Sequence, residues 1–267
     1  MDQGLQQKWE NLQAILQQMG RVAVAFSGGV DSTFLVKAAQ LTSNVEVIAF
    51  TAASCFVPPR DVAEAKAFCA KEGIRHIIHK ADVLSVKGIR ENPKDRCYLC
   101  KHALFSFFTE LAKKEGNYVL VDGTNVDDDG DYRPGRKALS ELGVRSPLHE
   151  AGLHKADIRA LSHEFGLATW DKPSAACLAS RFPYGDTLTQ EALARVDRAE
   201  VFLHSLGFTQ LRVRVHGDLA RIELLPDDMK RFADADTRTK IAQYLHDCGF
   251  RYAALDLDGY RTGSMNG

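Results

Sequence analysis

The sequence predicts an α/β chain: a mostly parallel sheet with helices on both faces, a helix ahead of it, and a small α+β domain behind it. Three observations carry this. Apolar runs of strand length alternate with helical stretches over most of the first 183 residues. Those runs are apolar nearly throughout, as strands covered on both faces are. After Gly185 the rhythm changes to helix, two strands of period two, helix and strand.

Each element has its own signal. Leu5, Trp9, Leu12, Leu16 and Met19 recur at helical spacing, so residues 5–19 form an amphipathic helix packed on the domain. VAVAF (22–26) is the first strand, and a glycine turn leads from it into a helix over 32–40. VEVIAF (45–50) is the second strand, with a helix from Pro59 to Lys71 after it. HIIH (76–79) is the third. A helix over 97–115 has an apolar face of Leu104, Phe107, Phe108 and Leu111, and YVLVDG (118–123) is the fourth strand. A fifth, short strand is expected near 145–149, before a helix over 155–165. Beyond the boundary, 187–208 reads as helix, QLRVRVH (210–216) and ARIELL (220–225) as strands, 227–246 as helix, and RYAALDLD (251–258) as the last strand. Pro183 and Gly185 mark the linker, so the expected domains are 1–185 and 186–267.

Composition narrows the function. With 45% apolar and 26% charged residues in 267, the chain is globular. Its net charge is −1, with +1 through Gly185 and −2 after it, so neither half carries a basic nucleic-acid footprint. No apolar run reaches the roughly 18 residues of a membrane span. The start, MDQGLQQKWE, is polar and acidic, unlike a secretory signal. A soluble, cytoplasmic protein is expected. Six cysteines are too few for a disulfide scaffold.

The first candidate site is Ser27-Gly28-Gly29-Val30-Asp31-Ser32-Thr33, between the first strand and its helix. Helix-start N–H groups lack intrahelical partners and sit at the positive end of the dipole, so an anion fits there. Gly28 and Gly29 let backbone approach phosphate, and Ser27, Ser32 and Thr33 add hydroxyls. Asp31 repels a bare phosphate and makes sense beside Mg²⁺. The lysine of a Walker loop and the spacing of a Rossmann fingerprint are both missing. Asp122-Gly123-Thr124-Asn125, at the end of the fourth strand, shares the same rim of the sheet.

The second candidate site is a set of cysteines. Cys97 and Cys100 fall three apart in the first turn of a helix, where thiol pKa is lowered. Cys177 lies in a loop bracketed by Pro173 and Pro183. Zinc needs a fourth ligand that no motif supplies. Three thiolates suit a [4Fe–4S] cluster with one open iron, and a redox disulfide between Cys97 and Cys100 is the alternative. Cys55, Cys69 and Cys248 read as buried core cysteines.

SGGVDS resembles the signature of the PP-loop ATP pyrophosphatases. The resemblance implies that the loop holds a β,γ-pyrophosphate while a substrate oxygen attacks the α-phosphorus. Taken together, SGGVDST, RCYLCK, DGTNVDDDGDYRPGRKA, KPSAACLASRFPYG and LRVRVHGDLARIEL are similar to the LarE sulfur transferases of nickel-pincer nucleotide biosynthesis, from about Arg21 to near Arg261. This resemblance implies ATP-dependent adenylylation of the carboxylates of pyridinium-3,5-biscarboxylic acid mononucleotide, followed by displacement of AMP by sulfur. One form of the family sacrifices a single loop cysteine; the other holds a [4Fe–4S] cluster on three. Cys97, Cys100 and Cys177 match the cluster form.

The same resemblance carries further roles onto this chain. Lys101 neutralises charge near the reacting group, and Gly123 belongs to the ATP site. Ser180, Arg181 and Arg133 contact substrate. Arg212 and Arg214 alternate with valines and so share one sheet face. That pattern reads as a solvated face or, by resemblance, as a phosphate-binding pair supported by Glu200 at a subunit contact of a homo-oligomer such as a hexamer. Rival readings are tRNA 2-thiolation, a PP-loop amidotransferase and a nucleotide-sensing module without turnover.

Overall fold

The strand Arg21–Ala25, β1, is the hub of the first sheet, and its neighbours on either side decide where a ligand can sit. The computed structural model describes residues 2–130, 134–173, 176–261 and 264–265. They form two compact units, Met1–Asp82 with Asp95–Ala175, and Val83–Lys94 with Ala176–Gly267.

The first unit runs α1 (Gln3–Met19), β1 (Arg21–Ala25), α2 (Val30–Leu41), β2 (Glu46–Ala53), α3 (Pro59–Glu72) and β3 (Arg75–Lys80). It continues through α4 (Arg96–Lys114), β4 (Val119–Val121), α5 (Pro134–Glu141), α6 (Pro147–Glu150) and α7 (Lys155–Glu164). Asp2 caps α1 by accepting from the Leu5 N–H at 2.8 Å, and Gly20 ends it at φ 66°. The strand order is β3-β2-β1-β4, and every pair is parallel. Strand alternation sends Val22 and Val24 to one face, against Leu12 and Leu16 of α1, Phe34 and Leu35 of α2, and Leu161 of α7. Ala23, with Ile48 and Phe50 of β2, packs on the other face against Phe105 and Phe108 of α4 and Leu139 of α5. The sheet is thus covered on both sides, as its apolar strands require.

The expected fifth strand shrinks to one parallel bridge, Val121 to Arg145. Pro147 has no N–H to give a ladder and fits the first turn of a helix, so 147–150 becomes α6.

The second unit runs α8 (Gln190–Ser205), β5 (Leu211–His216), β6 (Leu219–Leu224), α9 (Pro226–Met229), α10 (Ala235–Asp247) and β7 (Tyr252–Leu255). β5 and β6 are antiparallel, and β7 joins β6 in parallel. This unit starts earlier than the linker at 185 and takes in 83–94 as well. The reason is local hydrogen bonding. Buried Asn92, in a left-handed turn at φ 48°, donates from its side chain to the Pro183 carbonyl at 2.6 Å. The Gly185 N–H donates to the Asn92 carbonyl, and the Leu188 N–H to that of Arg90.

Two buried ion pairs organise this unit. Arg181, in a short turn at Leu178–Arg181, donates to both oxygens of Glu200 at 2.9 Å each. Glu200 also accepts from the Val213 N–H at 3.0 Å, which ties α8 to β5. Arg214 donates to Glu223 at 2.9 and 2.8 Å. Burial pushes the Glu200 carboxyl up, but the charge and hydrogen bonds of Arg181, with the Val213 N–H, outweigh it and hold the group below its usual range.

Glu200→Ala leaves Arg181 buried without its counter-ion and is expected to cost about 3–5 kcal/mol, read from urea unfolding. A loss below about 1 kcal/mol contradicts the pairing. Because the folded-state pKa of Glu200 is depressed, its contribution is present above the unfolded value of about 4.3 and is lost as pH falls through the lower folded value. The difference in stability between wild type and Glu200→Ala should therefore shrink on acidification below about pH 4.

Candidate functional site

β1 connects outward to β2 on one side and has β4 on its other, so the chain reverses direction across the sheet between β1 and β4. Parallel sheets bind ligands at the carboxyl ends of strands flanking such a reversal. A cavity of about 600 Å³ opens there, entirely within the first unit. Part of its lining is apolar, with Phe50, Val57, Val62, Leu104 and Phe105. The rest is largely polar. It takes Ser27, Gly29, Asp31 and Ser32 from the β1–α2 turn, Asp122 to Asn125 from the end of β4, and two lysines, Lys101 and Lys155.

The turn is built for backbone approach. Gly28 adopts φ 73°, which favours glycine. Gly29 is the N-cap of α2 in extended conformation, without a side-chain cap. The hydroxyls of Ser27 and Ser32 lie 3.1 Å apart, and the Ser32 hydroxyl also reaches the Gly29 carbonyl at 3.3 Å. On the β4 side, a Cβ at Gly123 meets Ser32 N at 3.1 Å and Asp31 Cβ at 3.2 Å. Only a glycine lets the two strand ends close to this degree. Asp122 accepts from the hydroxyls of Thr124 and Ser146, both at 2.6 Å, which fixes the strand end.

Charge is balanced residue by residue. Lys155 Nζ lies 2.5 Å from Asp31 Oδ2, and the Asn125 side chain donates to Asp31 Oδ1 at 3.4 Å. Asp127 accepts from the Lys155 N–H and faces His154 Nδ1, both at 2.7 Å. These bonds hold the Asp127 carboxyl below its usual range, the His154 contact contributing most.

The expected residues divide clearly. Ser27, Gly29, Asp31, Ser32, Gly123 and Lys101 line the cavity. Gly28 packs behind the turn, its built Cβ 3.5 Å from Ala65, and its carbonyl accepts from Lys172 at 3.2 Å. Thr33 is buried and not on the cavity wall, and its hydroxyl has no hydrogen-bond partner among the described residues. Arg133 lies outside the described residues. In the second unit, Arg212 and Arg214 are buried, not a solvated face. Arg214 is held by Glu223 and the Ser180 carbonyl, and Arg181 by Glu200. Lys155, Asp127 and Asp128 were missed because their link to the turn spans roughly a hundred residues of sequence; the acidic DDD run was the only available signal.

Cys97 and Cys100 open α4 in the first unit, one exposed and one half-buried. Cys177, half-buried in the second unit, precedes the Leu178–Arg181 turn, and its carbonyl accepts from Arg181 at 3.1 Å. None of the six cysteines is in a disulfide in this structure. Among the described residues no three His, Cys, Asp or Glu side chains come together as a metal site. Mg²⁺ asks for less, since it keeps its waters and takes one or two carboxylates plus phosphate oxygens. Asp31 on the cavity wall meets that need. For a [4Fe–4S] cluster the donors suit in kind, as three thiols.

No protein-family model matches the chain. It is 40% identical over 260 residues to the pyridinium-3,5-bisthiocarboxylic acid mononucleotide synthase of Lactiplantibacillus plantarum, covering 97% of this chain and 94% of that one. It is equally similar, at 40% over 262 residues and 98% of both chains, to an uncharacterized protein of Synechocystis. An uncharacterized protein of Methanocaldococcus jannaschii is 28% identical over 91% of both.

Gly123→Ala tests the closed rim. Its methyl group must push the backbone of Ser32 and the side chain of Asp31, neither of which is the far end of a flexible chain. Inorganic pyrophosphate is expected to bind about tenfold more weakly, by calorimetry, with the first unit still folded. Unchanged affinity contradicts the rim as the anion site.

Proposed function

The chain belongs to the LarE family of sulfur transferases, and on that premise we propose that it converts the carboxylates of pyridinium-3,5-biscarboxylic acid mononucleotide to thiocarboxylates, activating each with ATP. The observation that carries the ATP part is the Ser27–Ser32 turn at the reversal point of a parallel sheet, on the wall of a cavity that also has apolar lining.

In this reading the N–H groups at the start of α2 and the hydroxyls of Ser27 and Ser32 take the pyrophosphate, with Gly28, Gly29 and Gly123 giving the room. Asp31 holds Mg²⁺, which spreads the phosphate charge. A carboxylate oxygen of the mononucleotide attacks the α-phosphorus; the bond to the β-phosphate oxygen breaks and pyrophosphate leaves. Sulfur then attacks the acyl carbon, and AMP departs with the carboxylate's oxygen. Lys101, on the cavity wall, faces charge that develops at the reacting group.

The second unit supplies the substrate side. Arg181, Arg212, Arg214 and Arg221 share Glu200, Glu223 and Asp256, an excess of positive charge in a mostly buried cluster. Burial lowers the Arg212 pKa, and the neighbouring charge of Arg181 lowers it further, so an incoming phosphate relieves both. We assign the mononucleotide phosphate to Arg212 and Arg214, with Ser180 and Arg133 as further contacts. Glu200 and Arg181 hold that cluster in place. Sulfur comes from a [4Fe–4S] cluster bound through Cys97, Cys100 and Cys177, which supplies sulfide when loaded. The second unit is also where subunits of a homo-oligomer meet.

With ATP, Mg²⁺ and the biscarboxylic mononucleotide, the products should be AMP and pyrophosphate. ADP and phosphate contradict the reading, and Asp31→Ala should slow turnover about a hundredfold. Protein purified without oxygen should carry about four irons per chain and lose them when Cys97, Cys100 or Cys177 is replaced. Loss of one H₂S from the Cys177 peptide after reaction, seen by intact mass, contradicts a cluster source.

A further inference from the structure

The peptide that joins Gly28 to Gly29 must face one way for an anion to bind. Its carbonyl and its N–H point in opposite directions, as in any trans peptide. With the N–H toward the cavity the turn attracts phosphate, and with the carbonyl there it repels it. Neither glycine has a Cβ to oppose rotation of the plane between them. We propose that Lys172 fixes this plane, holding the Gly28 carbonyl away from the cavity so that the Gly29 N–H stays turned to the phosphate. Lys172 is thus a positioning residue and not a phosphate ligand. The proposal rests on the ATP reading above.

The two ends of the plane have different surroundings. Lys172 Nζ donates to the Gly28 carbonyl at 3.2 Å. Ser27 and Gly29 line the cavity, whereas Gly28 and Lys172 do not. Gly28 backs onto α3, its built Cβ 3.5 Å from the Asp61 carbonyl and from Ala65. At the other end the Gly29 N–H reaches the hydroxyl of Ser27, a residue of the cavity wall, at 3.4 Å. A bond that long is readily exchanged for an anion's oxygen. The first rung of α2 runs from the Thr33 N–H to the Gly29 carbonyl at 3.0 Å, so the helix holds the next peptide and not this one.

The lysine itself is built into place. Its ammonium lies 2.7 Å from Glu64 and 3.8 Å from Asp61, both on α3. Its backbone is pinned by Arg159 of α7, which donates to the carbonyls of Trp170 at 2.8 Å and Lys172 at 3.1 Å. The Lys172 N–H donates to the Thr169 carbonyl at 3.0 Å. A side chain held this way loses little further freedom in holding the carbonyl. Two carboxylates also outweigh its one charge, so it offers a phosphate little attraction of its own and acts through the peptide. As a source of fold stability the contact with Glu64 is weak, because Glu64 is 58% exposed.

Lys172→Met keeps the length of the side chain and removes the donor. Calorimetric titration of the full chain, with Mg²⁺ present, should show ATP and inorganic pyrophosphate binding about tenfold more weakly and AMP changed less than about twofold. Lys172→Arg should recover most of the loss, and both variants should melt like wild type. Nuclear magnetic resonance on glycine-labelled protein reads the plane itself. The Gly29 N–H should give one signal in wild type and in Lys172→Arg, should broaden or split in Lys172→Met, and should return to one signal when pyrophosphate saturates that variant. Weaker binding with an unmoved Gly29 signal, equal loss for ATP and AMP, or no loss for either, overturns the proposal. If Lys172→Met does not fold, wild type decides alone: a single Gly29 form before and after pyrophosphate supports a plane fixed in advance, and two forms that merge on binding overturn it. A wild-type chain that binds pyrophosphate while Lys172→Met binds it equally well defeats only the Lys172 assignment. A wild-type chain that binds neither ATP nor pyrophosphate defeats the ATP reading and this inference together.

Discussion

The end of β4 touches the beginning of α2 through a residue with no side chain, and the site depends on that contact. Gly123 lets the two strand ends meet at the backbone of Asp31 and Ser32. A Cβ at this position requires the backbone of Ser32 and Asp31 to give by a few tenths of an ångström. The requirement follows from topology. Only where the sheet order reverses do two strand ends diverge enough to admit a ligand, and only a glycine then keeps their backbones close enough to share it.

Much of this was legible in the sequence. The strand–turn–helix at VAVAFSGGVDST has the right residues in order, because backbone approach to an anion needs glycines and a helix start, which are local properties. The alternation that covers the sheet on both faces was equally local. What the sequence could not show is which distant residues arrive. Lys155 reaches Asp31 across the fold, and nothing in KADIRALSHE marks it. Thr33 belongs to the motif by sequence, and in the structure it is buried one residue after Ser32 of the cavity wall. The fifth strand failed at Pro147, whose preference for a helix start outweighed the apolar pattern.

The arginines of the second unit show a different limit. Alternation placed Arg212 and Arg214 on one face correctly, but a polar face of a strand is ordinarily wet. Here that face is buried, and the charges survive there because Glu200 and Glu223 are buried with them. Such pairs seldom stabilise a fold relative to apolar residues. Their cost is easier to understand if the cluster serves an anion, which is the part assigned to it above. The same logic explains why Asn92 and its neighbours join this unit: their buried polar groups must be paired, and Pro183 and Gly185 provide the partners.

The central claim is that a carboxylate of the mononucleotide becomes an acyl-adenylate before sulfur arrives. Its most direct test follows the oxygen atoms. Substrate carrying a heavy oxygen isotope in its carboxylates is incubated with ATP and the protein, and the products are weighed by mass spectrometry. The account predicts one heavy oxygen in AMP for each thiocarboxylate formed, and none in pyrophosphate. Thiocarboxylate formed alongside unlabelled AMP, or label found in inorganic phosphate, contradicts it.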